Sequence, residues 1–310
     1  MKGKYINFTI CSLILIFLIE IFLHTKFIIN SFYEASYIWF YNLIPTLFPF
    51  LIISDLLSNY GFIKFISKIF GKIMKLFKLN EKTSYALFMS MISGFPGNSK
   101  LIKELLDNKE INNQDATKLL TFTHFSNPLF IIGTIGITFL NNKTIGLLIL
   151  IVHYLTNFIV GILFRNIYKS SDNKVIEKER ITLPFMDCLI KSITNSINVI
   201  FLVYGIIIFT SLLTNIITIN LNLSPIYKSI LTGLLEITQG LKLISKLNFS
   251  FILKATFMTF FISFGGISIH MQIMSILSDY RINYYIYLIA RIIHASISSL
   301  LIYFILSILY

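Results

Sequence analysis

Glu236 is a carboxylate within an otherwise apolar stretch, followed by Thr238, Gln239 and Gly240. An acidic residue at mid-helix costs roughly 2.5–3.5 kcal/mol to place in a bilayer, so it has either a partner or a task. Arg291 is similarly enclosed near the far end of the chain and is the expected partner, with a purely structural pair as the alternative. Ser268, His270 and Gln272 follow directly on Gly265-Gly266, where a neutral imidazole could donate a hydrogen bond or carry a proton. A third polar run comprises Ser93, Gly94, Pro96, Gly97, Asn98 and Ser99; it supplies a tight turn and free N–H groups suited to an anion. A helix cap at an interface is the competing reading of that run, favoured by the adjacent Lys100. Asn127, before Pro128, either bonds a ligand or caps the freed turn. These sixteen residues (Glu236, Thr238, Gln239, Arg291, Gly265, Gly266, Ser268, His270, Gln272, Asn127 and the six around Pro96) are the expected substrate-binding set. His153 and Asn157 share a helix face, as do Arg291 and His294, and helix–helix hydrogen bonding is the expected role of the first pair.

The chemistry this set points to is binding, and no catalytic residue is expected. No zinc-protease, nucleophile-elbow, phosphate-loop or dinucleotide signature occurs, so nothing supports an enzyme. Cys11 and Cys188 lie far apart among apolar residues, with neither metal-ligand spacing nor a disulfide framework. No cofactor or metal is expected.

The elements that must hold these residues are membrane helices. Of the 310 residues, 55% are hydrophobic and 13% charged, and the mean hydropathy is +0.79. A water-soluble surface cannot be built from so few polar groups, and several runs reach the roughly 20 residues that cross a bilayer as helix. The net charge of +12 is assigned to loops held in the cytoplasm and to the lipid surface, with no nucleic-acid partner, because the aromatics sit in apolar segments and not between the lysines.

We expect an all-α polytopic membrane protein with about seven crossings. Spans are read at Ile6–Ile29 and Ser36–Leu57, then a lysine-studded amphipathic helix over 61–82 lying on an anionic leaflet. Tyr85–Phe95 is too short to cross and returns to charge through the Gly/Pro run, which predicts a re-entrant hairpin. Asp115–Leu140 reads as a helix broken at Asn127-Pro128, and Thr144–Tyr168 as a full span. The order then recurs: a span at Asn195–Ile219, a short helix at Tyr227–Gly240 as the second re-entrant hairpin, a helix over Phe251–Ser278 broken at Gly265-Gly266, and a span at Tyr284–Leu309. Domains follow as an N-terminal helix (1–35), a first repeat (36–168), a cytoplasmic loop (169–194) and a second repeat (195–310). Counting crossings from a cytoplasmic 61–82 makes the two repeats inverted, with the N-terminus inside and the C-terminus outside. Such repeats build mid-membrane sites from interrupted helices in many secondary transporters.

Ser93-Gly94-Phe95-Pro96-Gly97-Asn98-Ser99-Lys100 resembles the S-G-Y-P-x-G-A-K element of the sporulation integral membrane protein YlbJ (SpoVV) family, within the nucleoside-recognition Gate group. The likeness continues through Phe122–Gly133, His153-Tyr154, Glu236–Gly240, Phe264–Gln272 and Ala290–Ala295. Gly97-Asn98-Ser99 and His124-Phe125-Ser126-Asn127 depart from the family pattern at the expected ligand turns. The resemblance implies a spore-forming bacterium and a transporter that moves dipicolinate, a small organic dianion, across the mother-cell-derived outer forespore membrane for cortex formation. A non-transporting scaffold for cortex assembly and a nucleoside or cation carrier are the alternatives. The implied partners are dipicolinate, membrane lipid, and a second copy or other sporulation membrane proteins.

Overall fold

The computed structural model describes residues 2–168 and 184–310, so the basic stretch Lys169–Arg180 lies outside the described residues. Those described are mostly helical, with no strand among them. Six helices among them are long and apolar enough to cross a bilayer. The chain is a polytopic integral membrane protein.

α1 (Lys2–Leu23) ends at a turn on His24, six residues before the first predicted span was expected to stop. The apolar run simply continues through this turn, so hydropathy could not locate it. α2 (Thr25–Ile38) passes through a π-helical turn at Trp39–Leu43 into α3 (Ile44–Asn59), making one 35-residue segment. The wider turn lies just before Pro45, where the missing N–H and the ring disturb the regular ladder. α4 (Phe62–Leu76) is the amphipathic helix, shorter than expected because the chain turns at Phe77. Its Phe65, Ile69 and Ile73 remain exposed at four-residue spacing.

The first hairpin is formed by α5 (Ser84–Ser93) and α6 (Gly97–Asp107). α7 (Asn113–Leu120) gives way to an irregular stretch that ends in a π-wound segment over Phe130–Phe139. The crossing predicted at 115–140 is therefore two short pieces around a wide gap, which is why the described residues hold six long apolar helices and not seven. α8 (Lys143–Phe164) packs on the π-wound segment through Gly136 and Gly146; a Cβ on either would approach the other's Cα within 2.8 Å.

α9 (Phe185–Asn220) begins ten residues before the predicted span and takes in the end of the expected loop. At about 1.5 Å per residue its 36 residues measure about 54 Å, well beyond a bilayer core of about 30 Å. α10 (Pro225–Leu235) and α11 (Ile237–Lys246) form the expected second hairpin, its turn at Glu236 falling inside the short helix read over Tyr227–Gly240. Its limbs touch backbone to backbone: a Cβ on Gly240 would fall 2.1 Å from the Gly233 Cα. α12 (Phe251–Phe264) and α13 (Gly266–Ile276) are the broken helix, parted where predicted, and α14 (Tyr284–Leu309) closes the chain. Hairpin, broken element and long helix thus occur twice in the same order.

A large apolar cluster joins α4 to α8 with α11 to α14, so the two halves share one core. At its charged margin Lys103 on α6 pairs with Asp279 (2.5 Å) in the loop after α13, and Tyr280 donates to Asp107. The Asp279 bond raises the Lys103 pKa above the ordinary lysine value. Lys100 pairs with Asp55 on α3 at 2.8 Å, and Asn195 on α9 donates to the same carboxylate at 3.3 Å.

Candidate functional site

Each break is held by its neighbours. Gly94 has φ +73° and ψ −174°, and a Cβ there would lie 2.5 Å from the Asn127 nitrogen, so both conformation and space demand glycine. The Phe95 N–H donates to the Phe125 carbonyl at 2.8 Å, and Tyr154 on α8 donates to the carbonyls of Met91 and Ser126. Gly265 has φ +92°, and a Cβ would meet the His124 ring at 2.7 Å. Gly266 faces the Gly233 carbonyl and the Ile237 nitrogen across the second hairpin, each 3.3 Å from its Cβ position. Both hairpin tips and both helix breaks therefore meet in one place.

A small cavity opens there, about 30 Å³, room for a couple of water molecules. Phe95 and Asn127 border it from the first half, Glu236, Thr238 and Gln272 from the second. Thr46 on α3 and Val203 and Ile207 on α9 also line it, with apolar neighbours such as Phe130 and Ile269. Glu236 is the extended residue between α10 and α11 and is fully buried. One carboxylate oxygen caps α11, accepting from the Gln239 N–H (2.8 Å) and the Thr238 hydroxyl (2.7 Å), while Oε1 has no partner. Both amide atoms of Gln272 and of Asn98, the Ser268 hydroxyl and the Gln239 Nε2 are likewise buried without a partner. Leaving such a group unmatched costs about 1–3 kcal/mol. Glu236 Oε1 and the Gln272 amide are the ones that border the cavity, and they leave it able to receive hydrogen bonds from elsewhere.

Other members of the expected set are engaged in structure. Asn127 donates to the carbonyls of Thr46 (3.0 Å) and Ile92 (3.3 Å) and accepts from the Leu129 N–H (2.8 Å), so the capping reading describes its bonds. Ser93 bonds the Met89 carbonyl, and Ser99 bonds that of Pro96. Of the first tip only Phe95 borders the cavity; Gly94, Pro96 and Gly97 shape the turn behind it. His270 lies within hydrogen-bond distance of the Tyr284 hydroxyl (3.2 Å) and the Phe264 carbonyl (3.0 Å).

Arg291 is not the partner of Glu236. It is fully buried in a separate polar cluster, where it donates to the Asn157 Oδ1 (3.3 Å), to the Thr121 carbonyl at the end of α7, and to the His294 Nδ1 (3.0 Å). Its guanidinium carbon sits 5.7 Å from the centre of the Tyr287 ring. Among the described residues no ion pair involves Arg291 or Glu236. Periodicity could enclose both residues in apolar helix but could not tell that their polar ends diverge. His153 accepts from the Ser126 N–H (3.1 Å) and bonds Ser263 (2.9 Å), and Asn157 donates to the His124 carbonyl (2.9 Å), as expected of a pair that ties helices. His124 was not singled out as a site residue. It stacks on Phe95 at 4.7 Å and bonds the Tyr287 hydroxyl at 2.9 Å, joining the back of the cavity to the arginine cluster. Its position within the Asn127 break was the available signal.

Residues 40–143, which include the first hairpin and break, match the family model described as nucleoside recognition, named Gate. The chain is 29% identical over 292 residues to the sporulation integral membrane protein YlbJ of Bacillus subtilis, covering 82% of this chain and 72% of that protein. No solved structure matches. The paired hairpins, their convergent breaks and these two likenesses agree: the chain is an integral membrane protein whose residues 40–143 match the Gate model and which is similar to YlbJ along most of its length.

Proposed function

We propose that the protein is a sporulation membrane transporter that carries dipicolinate, and that it serves spore maturation in the outer forespore membrane. The observation that carries this reading is the meeting of four interrupted helices at a buried pocket with unpartnered polar atoms. Interrupting helices in lipid exposes backbone groups at a cost that a scaffold has no reason to bear, whereas a carrier uses them as its site. The relative is a sporulation integral membrane protein, and the sporulation and membrane parts of the reading come from that likeness. In this reading the two halves are oppositely oriented, and rocking one against the other enlarges the cavity toward each face in turn. The exposed apolar row of α4, with its lysines, rests on an anionic lipid surface.

Purified protein in proteoliposomes is expected to take up labelled dipicolinate saturably, with unlabelled dipicolinate competing and uridine not. Exchange of Gln272 for Ala is expected to raise the half-saturating concentration at least tenfold, since the amide supplies both a donor and an acceptor at the pocket. A second reading has its own support. A carboxylate beside a free amide also suits the hydroxyls and base edge of a nucleoside, in keeping with the name of the matching family. Uptake of uridine in place of dipicolinate would establish it, and uptake of neither would leave the scaffold.

A further inference from the structure

We propose that Glu236 is a proton-carrying site, so that each substrate anion crosses together with a proton bound at this carboxyl group. The inference rests on the transport reading above and concerns what drives it. Glu236 is buried, at the junction of the second hairpin, and it borders the cavity with one oxygen committed and one free. The committed oxygen needs only to accept hydrogen bonds, which a protonated carboxyl does through its carbonyl oxygen. The free Oε1 can therefore take up a proton without disturbing the cap of α11.

No cation offsets the carboxylate from the surrounding elements. Thr46 faces the cavity from α3, Asn127 and Phe95 from the first half, Val203 and Ile207 from α9, and Gln272 from α13. The titratable groups beyond this wall are His124 behind Phe95, His270 on α13, and Tyr287, Arg291 and His294 on α14, each already bonded within the other cluster or to its own helix ends. A carboxylate substrate entering a small apolar pocket thus meets a second carboxylate with no arginine or lysine between them. Two such groups share a proton rather than both ionise, as carboxyl pairs in enzymes do. The proton enters from the aqueous phase on one side and forms an O–H bond at Oε1. That bond donates to a substrate carboxylate, and the proton returns to water on the other side when the substrate leaves.

The test is uptake of labelled dipicolinate into proteoliposomes with an imposed pH gradient, with an entrapped pH-sensitive dye reporting proton movement. Wild type is expected to accumulate substrate several-fold when the outside is acidic, with proton entry in step with substrate. In Glu236→Gln, whose side-chain carbonyl still accepts the two capping bonds, the residual uptake is expected to be independent of pH and to move no protons. Glu236→Asp is expected to restore a pH-dependent profile at reduced rate. Uptake by wild type without proton entry would overturn the proposal while leaving the transport reading standing, as would a Gln variant that follows the wild-type pH profile. Failure of wild type to take up dipicolinate at any pH would overturn both.

Discussion

Two buried polar regions lie back to back in this molecule, and they match their polar atoms to very different degrees. Around Arg291 most donors and acceptors of α7, α8, α12 and α14 close on one another, with the Arg291 Nε and the His124 Nε2 left unmatched: the guanidinium reaches Thr121, Asn157 and His294, while His153 joins Ser126 to Ser263. At the Glu236 pocket the carboxylate Oε1 and both amide atoms of Gln272 have no partner, nor do the Gln239 Nε2, the Ser268 hydroxyl and the Asn98 amide on the adjoining helices. The arginine cluster binds the broken first half to the second, and the glutamate pocket leaves its capacity free. Satisfied networks rigidify, and unsatisfied ones await a ligand. A buried charge alone therefore does not mark a binding site; what separates the two regions is the state of the atoms around it.

The comparison can be broken most forcefully at Arg291. Replacing it by Ala removes one of the largest fully buried side chains and strips the Thr121 carbonyl and Asn157 Oδ1 of their donor. A loss of about 3–5 kcal/mol is expected, read as a markedly lower unfolding temperature in detergent and little protein reaching the membrane. Loss of uptake with unchanged stability would instead put Arg291 at the substrate. Glu236→Gln is expected to change stability by less than about 1 kcal/mol, since the cap of α11 persists, and the same melting measurement checks it. A change of the opposite sign to that at Arg291 is expected of Gln272→Met, a near-isosteric exchange that removes two unpartnered polar atoms. Its stability should stay level or rise by about 1 kcal/mol, while uptake falls. A clear drop in melting temperature would mean that the Gln272 amide is bonded within the protein after all.

Much of the architecture is legible along the chain because lipid imposes a simple rule. A polar or Gly/Pro interruption in an apolar helix has few tolerated environments, so Ser93–Ser99, Asn127-Pro128 and Gly265-Gly266 mark breaks that the structure contains. Glu236 was legible as a residue with a task for the same reason. The turn at His24 and the early start of α9 were not. Each lies inside or beside a continuous apolar run, where hydropathy is blind to a local change of direction. Gln272 and Asn127 were equally plausible ligands by type and position, yet Asn127 spends its amide on Thr46, Ile92 and Leu129.

Sequence by itself determined that this chain lives in a membrane, that its helices are interrupted, and which residue types stand at the interruptions. These follow from composition and local backbone chemistry, which act over a few residues. Tertiary structure alone decided that Glu236 and Arg291 part company and that His124 joins one cluster to the back of the other. It also decided which amides remain free. Those outcomes depend on which helix faces meet across the two halves, and a helix fixes only the azimuth of its own side chains, not the neighbour each will find.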